Sequence, residues 1–194
     1  GARCDYEALK YFTEFWASDN TDGVERIYIQ WGFSHLFPAK SIAAHVTSWG
    51  KQPLKFRLDV AMMCKLGFDI QLKEMSENEQ KLCQDVVKNF KRLQPVILDG
   101  DMYRLVSPYD TDHAAVIYNS KDKNKAILFA YDIHPRFAEQ LQPVRLNGLD
   151  PDKRYKEEEI KVIKEDRQGR RPMHSVNGQI YSGDYMMKVA HPII

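Results

Sequence analysis

The stretch Phe15-Trp16-Ala17-Ser18-Asp19-Asn20-Thr21-Asp22-Gly23-Val24-Glu25-Arg26 decides how the first half of this chain is read. An apolar and aromatic run, Phe12 to Ala17, gives way to two aspartates three residues apart, and a helical pattern follows at once. Val24, Ile27, Tyr28 and Trp31 recur at i, i+3, i+4 and i+7, one helical face, and Gly32 stands where a left-handed C-cap would sit. The spacing predicts a helix from about Asp22 to Trp31. Asp22, with Glu25 three residues on, reads as an N-cap with its reciprocal partner, satisfying backbone N–H groups that the first turn leaves open. Asp19 has no such structural task, because it lies outside the helix at the end of what reads as a buried segment. A carboxyl held there beside Trp16 would be partly desolvated, which raises its pKa and suits it to donate a proton to a leaving group. Spacing alone favours the plainer alternative, in which both aspartates cap the turn.

Working outward, Tyr6 to Trp16 carries Leu9, Phe12 and Trp16 at helical spacing but could equally feed a strand. Downstream, Ser41 to Thr47 is a short, nearly continuous apolar run, as expected of a strand buried on both faces in a parallel sheet. Arg57 to Leu72 is mostly apolar, with Gly67 as a bend. Ser76-Glu77-Asn78-Glu79 is a capping box, followed by Leu82, Val86, Phe90 and Leu93 on one stripe with Cys83 beside it as a small core residue. That helix is expected to end at Pro95. From Met102 the pattern shortens to strand-like runs: Met102 to Ser107, Ala114 to Asn119, Ala126 to Asp132, Gln142 to Asn147, Glu159 to Ile163 and Tyr185 to Val189. Ser120 to Lys125 reads as a hairpin loop, and the set implies an antiparallel sheet or sandwich beginning near Gly100.

Composition narrows the function classes. The 28 Lys and Arg against 27 Asp and Glu leave a formal charge of +1, with basic residues dispersed except at Arg167 to Arg171, so no nucleic-acid partner is expected. Cys4, Cys64 and Cys83 lie far apart and form neither a zinc motif nor a disulfide framework; no metal and no other cofactor is expected. There is no apolar run long enough for a membrane span and no signal-like start, which leaves both cytoplasmic and periplasmic settings open. Gly1-Ala2-Arg3 lacks an initiator methionine, and the chain reads as cut from something longer.

Many short matches in order give a resemblance. Phe15-Trp16-Ala17-Ser18-Asp19-Asn20-Thr21-Asp22 followed by Glu25-Arg26 resembles the W-x-S-D-x-T-D-x-x-x-R signature of glycoside hydrolase family 36 α-galactosidases. Gly1-Ala2-Arg3 resembles the tail of that family's Cys-Ser-Gly-Gly-Gly-Gly-Arg motif. Gln30-Trp31-Gly32 with Ser34, Ala44-His45-Val46, Arg57 to Met62, Leu66-Gly67-Phe68, Gly100-Asp101 with Tyr103-Arg104-Leu105, and Arg145-Leu146 with Gly148-Leu149-Asp150-Pro151 extend the match along nearly the whole chain. Met186-Met187-Lys188-Val189-Ala190 resembles the family up to its last strands. Ser48-Trp49-Gly50 departs from the Pro-Asn-His that many members carry, so that loop's substrate contacts do not transfer.

The resemblance implies the carboxy-terminal portion of a (β/α)8 barrel over residues 1–98, followed by an antiparallel β domain over residues 99–194. It implies that Asp19 is the general acid/base of a retaining hydrolase acting on terminal α-galactosyl groups of oligosaccharides, with the nucleophile on strands preceding Gly1, so that the chain alone is inactive and its partner is the missing amino-terminal portion of a homo-oligomeric parent. Trp16 and Asp22 are candidate substrate contacts, Trp16 with a core role as its alternative and Asp22 with its cap. Arg26 is expected to pair with Asp22, and His45 to be a hydrogen-bonded core group rather than a catalyst. Two other functions stay open: a noncatalytic carbohydrate-binding or interaction module built on the sheet after Met102, and a family relative with transglycosylase or α-N-acetylgalactosaminidase activity.

Overall fold

The structure is a computed structural model that describes residues 5–47, 50–135, 143–160 and 177–190. It divides into two compact units, Gly1–Asp99 and Gly100–Ile194.

The first unit is built from successive βαβ turns. Strands β1 (Phe15–Trp16), β2 (Ile42–Thr47) and β3 (Lys65–Asp69) form a parallel sheet in sequence order, with helix α1 (Gly23–Phe33) between the first pair and α2 (Leu54–Ala61) between the second. The ambiguous segment before Trp16 resolves into one 3-10 turn, Ala8–Lys10, and the short strand β1. Ile42, Ala44 and Val46 of β2 are buried on one face and His45 and Thr47 on the other, so the continuous apolar run does mark a strand covered on both sides. Ile27, Ile42, Leu58 and Val86 have at most 1 % of their surface exposed. Each such side chain contributes about 1.5–3 kcal/mol relative to an exposed one.

Helix α1 departs from the sequence reading in two respects. It runs through Gly32 to Phe33, with Ser34 rather than a left-handed glycine closing it. Its buried face comprises Gly23, Arg26, Ile27, Gln30 and Trp31, while Val24 and Tyr28 are only half-buried. The face is rotated because Gly23 brings the helix start against Phe56 of α2: a Cβ at Gly23 would lie 2.9 Å from the Phe56 ring. Gln30 is consequently buried and donates through Nε2 to the Val60 carbonyl at 2.8 Å.

Gly67 is not a bend; it pairs with His45 inside β3. Helix α3 (Glu77–Asp99) starts at the expected capping box, with Glu79 N–H donating to Ser76 Oγ and both Ser76 N–H and Ser76 O–H donating to Glu79 Oε2. It does not end at Pro95 but carries it internally. Pro95 lies on the exposed side, and the carbonyl its missing N–H would bond belongs to exposed Lys91, where water can serve; Val96 and Ile97 beyond it are buried and hold the last turn in place.

In the second unit β4 (Asp101–Val106), β5 (His113–Asn119) and β6 (Ala126–Asp132) form an antiparallel sheet in the order β4-β5-β6. Ser120 to Lys125 is the expected hairpin connection, closed by Ser120 N–H to the Lys125 carbonyl at 2.9 Å. Of the expected later strands, Gln142 to Asn147 forms no strand in its described part, residues 143–147, which contain only an isolated bridge at Val144. Glu159 and Ile160 are irregular, and 161–163 lie outside the described residues. A two-stranded ribbon pairs β7 (Arg154–Lys156) with β8 (Ile180–Ser182) instead. Tyr185 to Val189, expected as a strand, falls mostly in helix α4 (Gly183–Lys188). Ser182 caps that helix by accepting from Tyr185 N–H, and burial of Met186 with Ile117, Leu146 and Leu149 selects the helical turn over an extended run. Among the described residues no helix is long and apolar enough to cross a membrane.

Candidate active site

The parallel strands of the first unit share a carboxy-terminal edge, and the turn from Ala17 to Asp22 leaves β1 there before entering α1. Three contacts hold this turn. The buried hydroxyls of Thr21 and Thr47 are 2.7 Å apart, tying it to the end of β2. Asp22 caps α1 by accepting from Val24 N–H (3.1 Å) and Glu25 N–H (3.2 Å), and both its oxygens accept from Gln52 Nε2. The reciprocal bond assigned to Glu25 is made by Asn20, whose Oδ1 accepts from Asp22 N–H at 3.0 Å. Arg26, 2 % exposed, makes the third contact. Instead of pairing with Asp22, it donates to the carbonyls of Ser18 and Ala43, each at 3.1 Å.

The two aspartates are thereby separated in chemistry. Asp22 has both oxygens engaged in holding backbone and loop, which makes it a structural cap. Asp19 is exposed, and its Oδ1 accepts one hydrogen bond, from Trp16 Nε1 at 2.6 Å. The expected desolvation of Asp19 is not present in this chain: Trp16 is itself 44 % exposed and offers the carboxylate its N–H edge rather than a shielding face. Trp16 is correspondingly not a core residue.

The face of Trp16 stacks on His45, with ring centroids 3.8 Å apart and planes inclined by 22°. Trp16 pairs with Ala43 across the ladder, so His45, two residues on, lies diagonally opposite on the same face. His45 is buried, and its Nδ1 has no hydrogen-bond partner, contrary to the expectation of a bonded core histidine. Burial pushes its pKa down, the nearby Arg26 charge adds to this, and Asp69 and Asp19 act in the opposite sense. The ring is therefore neutral near pH 7, as suits a stacking platform. Cys64, near Arg26, is buried and its thiol is pushed up to about 12 by desolvation, so it is neither a nucleophile nor a metal ligand at physiological pH. No group of three or more potential metal ligands occurs among the described residues. Ser48 and Trp49 lie outside the described residues.

The sequence reading nominated Asp19, Trp16 and Asp22 and gave Arg26 a structural role with the wrong partner, but it did not point to Gln52. Gln52 carries no local signal. Arg26 carries a weak one, since Gly23, Arg26, Ile27, Gln30 and Trp31 themselves recur at helical spacing.

Asp19 stands just past the carboxy-terminal end of a parallel strand, the edge at which α/β enzymes place their sites. The comparisons define the family: residues 1–100 match the melibiase family model, and residues 113–189 match the glycosyl hydrolase family 36 C-terminal domain. The chain belongs to glycoside hydrolase family 36. It is 36 % identical over 162 residues to a probable alpha-galactosidase C of Aspergillus terreus, covering 80 % of this chain and 22 % of that protein. It is 31 % identical over 168 residues to alpha-galactosidase AgaA of Geobacillus stearothermophilus, covering 84 % and 23 %. The crystal structure of the GH36 alpha-galactosidase AgaB from the same organism superposes with a TM-score of 0.81 at 29 % identity, over 96 % of this chain and 24 % of that one. A variant of AgaA in complex with raffinose superposes with a TM-score of 0.82 at 26 % identity, over 96 % and 24 %. The chain thus spans somewhat under a quarter of the length of these relatives.

Proposed function

We propose that this chain is the acid/base-bearing part of a retaining α-galactosidase, with residues 1–98 the last strands and helices of a (β/α)8 barrel and residues 99–194 a carboxy-terminal β domain. Asp19 protonates the glycosidic oxygen while a carboxylate on another part of the protein attacks the anomeric carbon. As a carboxylate, Asp19 then takes a proton from the water that releases galactose from the covalent intermediate. The observation that carries this reading is the division between the aspartates: Asp22 is fully engaged as a cap, whereas Asp19 is exposed at a strand's carboxy-terminal end with a single aimed donor, Trp16 Nε1. The family supports it, and the raffinose and stachyose complexes of related enzymes support an oligosaccharide substrate ending in galactose.

On this reading Trp16 acts on the substrate indirectly. Its N–H orients the carboxylate and its ring rests on His45, so contact with sugar is not its first role. Trp16→Phe in the full-length protein keeps the stack and removes the donor. A hydrogen bond to a charged group contributes about 1.5–3 kcal/mol, and water competes at this exposed position, so kcat on raffinose is expected to fall by roughly three- to tenfold. Unchanged kcat would show that the bond does no positioning.

The isolated chain tests the division of labour, because one carboxylate cannot perform a double displacement. Assayed on an aryl α-galactoside, it is expected to show no turnover, and turnover at enzymatic rates would place a nucleophile within these 194 residues. The alternative of a binding module on the second unit's sheet draws little from that sheet's aromatics: Tyr118, Phe129 and Tyr131 are buried, and Tyr103 is half-buried against the cluster of Ile117 and Leu146.

A further inference from the structure

We infer that Arg26 is a positioning residue for the acid/base turn: its buried guanidinium clamps the Ser18 carbonyl to strand β2 and so fixes where Asp19 points. The inference rests on the reading of Asp19 given above.

The geometry begins with the shortness of β1. It pairs with β2 only at Phe15–Ile42 and Trp16–Ala43, after which the chain leaves the sheet. Backbone pairing stops three residues before Asp19. Arg26 takes over from there, reaching out of the first turn of α1 to donate Nη1 to the Ser18 carbonyl and Nη2 to the Ala43 carbonyl. The peptide immediately preceding Asp19 is thus bonded through one planar group to the residue that closes the strand ladder. A guanidinium does this in a way an ammonium cannot, because its donors leave a rigid plane in fixed directions and can span two acceptors.

Among the described residues Arg26 is not held by charge pairing. Among the described residues no carboxylate contacts it, its Nε has no hydrogen-bond partner, and neighbouring Cys64 stays a neutral thiol. Burial lowers the Arg26 pKa, although an arginine remains charged. A buried cation whose partners among the described residues are carbonyls is costly to the fold, and its contacts lead to the Asp19 turn on one side and to the strand carrying the Trp16 platform, His45, on the other. Trp16 aims the Asp19 carboxylate, and Arg26 fixes the backbone that carries it.

The test is the leaving-group dependence of Arg26→Lys, made in the full-length protein and measured beside wild type and Asp19→Ala. Misplacing a proton donor harms bond cleavage only where the aglycone needs a proton. On raffinose the variant is expected to lose roughly a hundredfold in kcat. On a dinitrophenyl α-galactoside, whose aglycone leaves unaided, glycosyl transfer to the enzyme, read as the burst of dinitrophenol, is expected to stay within about threefold of wild type. Equal loss on both substrates, or loss on neither, overturns the positioning role. Arg26→Gln, which keeps two N–H donors without the charge, is read in the same way and is expected to recover part of the raffinose rate. Failure of both variants to fold also overturns it, in favour of a purely structural arginine. If Asp19→Ala itself shows no leaving-group dependence, the reading of Asp19 fails; if Asp19→Ala shows it and Arg26→Lys does not, the present inference alone fails.

Discussion

Replacing Asp19 with alanine in the full-length protein is expected to slow hydrolysis of raffinose by roughly 10²- to 10⁴-fold, the range that a positioned general acid contributes. The loss falls unevenly across substrates. An aglycone such as a sugar alkoxide is too basic to leave without a proton, whereas dinitrophenolate is not, so the first chemical step on a dinitrophenyl galactoside is expected to survive the substitution. The second step is expected to become limiting, because Asp19 no longer takes the proton from water. Added azide, a nucleophile that needs no base, should then restore turnover and yield galactosyl azide. The fold is not expected to suffer: the carboxylate is exposed and its one hydrogen bond comes from a partly exposed indole. Asp22→Ala provides the contrast. It removes the cap of α1 and the anchor of Gln52, and is expected to act on stability, by about 1 kcal/mol, rather than on leaving-group dependence. Wild-type rates for Asp19→Ala on raffinose would remove the residue from the mechanism.

The second large effect is on the carboxy-terminal unit. Gly148 adopts φ of +73°, and a Cβ there would overlap the Tyr103 ring and lie 2.6 Å from Asn119 Nδ2. Neither neighbour yields cheaply. Asn119 is fully buried and donates through Nδ2 to the Asn147 carbonyl at 2.8 Å, and Tyr103 packs against the cluster of Ile117, Leu146, Leu149 and Met186. Left-handed backbone costs roughly 1–2 kcal/mol for a residue with a Cβ, and overpacking adds roughly 1–3. Gly148→Ala is therefore expected to lower the melting temperature of this unit by about 10 °C or more, at about 4–8 °C per kcal/mol. Gly178 is the control: its φ is +83° but a Cβ there meets nothing within 4 Å. Gly178→Ala should incur only the backbone part. Equal shifts in the two variants, measured by thermal unfolding, would show that the close approach of Gly148 to Tyr103 is unimportant.

The sequence and the structure divide the information along physical lines. Features fixed by neighbours along the chain were legible: the capping box at Ser76 and Glu79, the Asp22 cap, the doubly buried run of β2, and the hairpin from β5 to β6. Each follows from hydrogen bonds or hydrophobic patterning within a few residues. The ordered motifs likewise placed the chain in its family and singled out Asp19. Features fixed by a partner far along the chain were not legible. Tyr185 to Val189 has strand-like composition, yet it is mostly helical because Met186 reaches a cluster from β5 and the loop before β7. Helix α3 passes through Pro95 because the residues beyond it are buried. Arg26 reads as a partner of Asp22, yet the rotation of α1 against Phe56 turns it to Ser18 and Ala43 instead. Local sequence determined the caps and the helical stripes, because capping and periodicity are short-range, and the ordered motifs nominated Asp19. Only tertiary packing decided that Asp22 is engaged and Asp19 exposed, because that depends on where Gln52, Trp16 and the end of β2 come to lie in space.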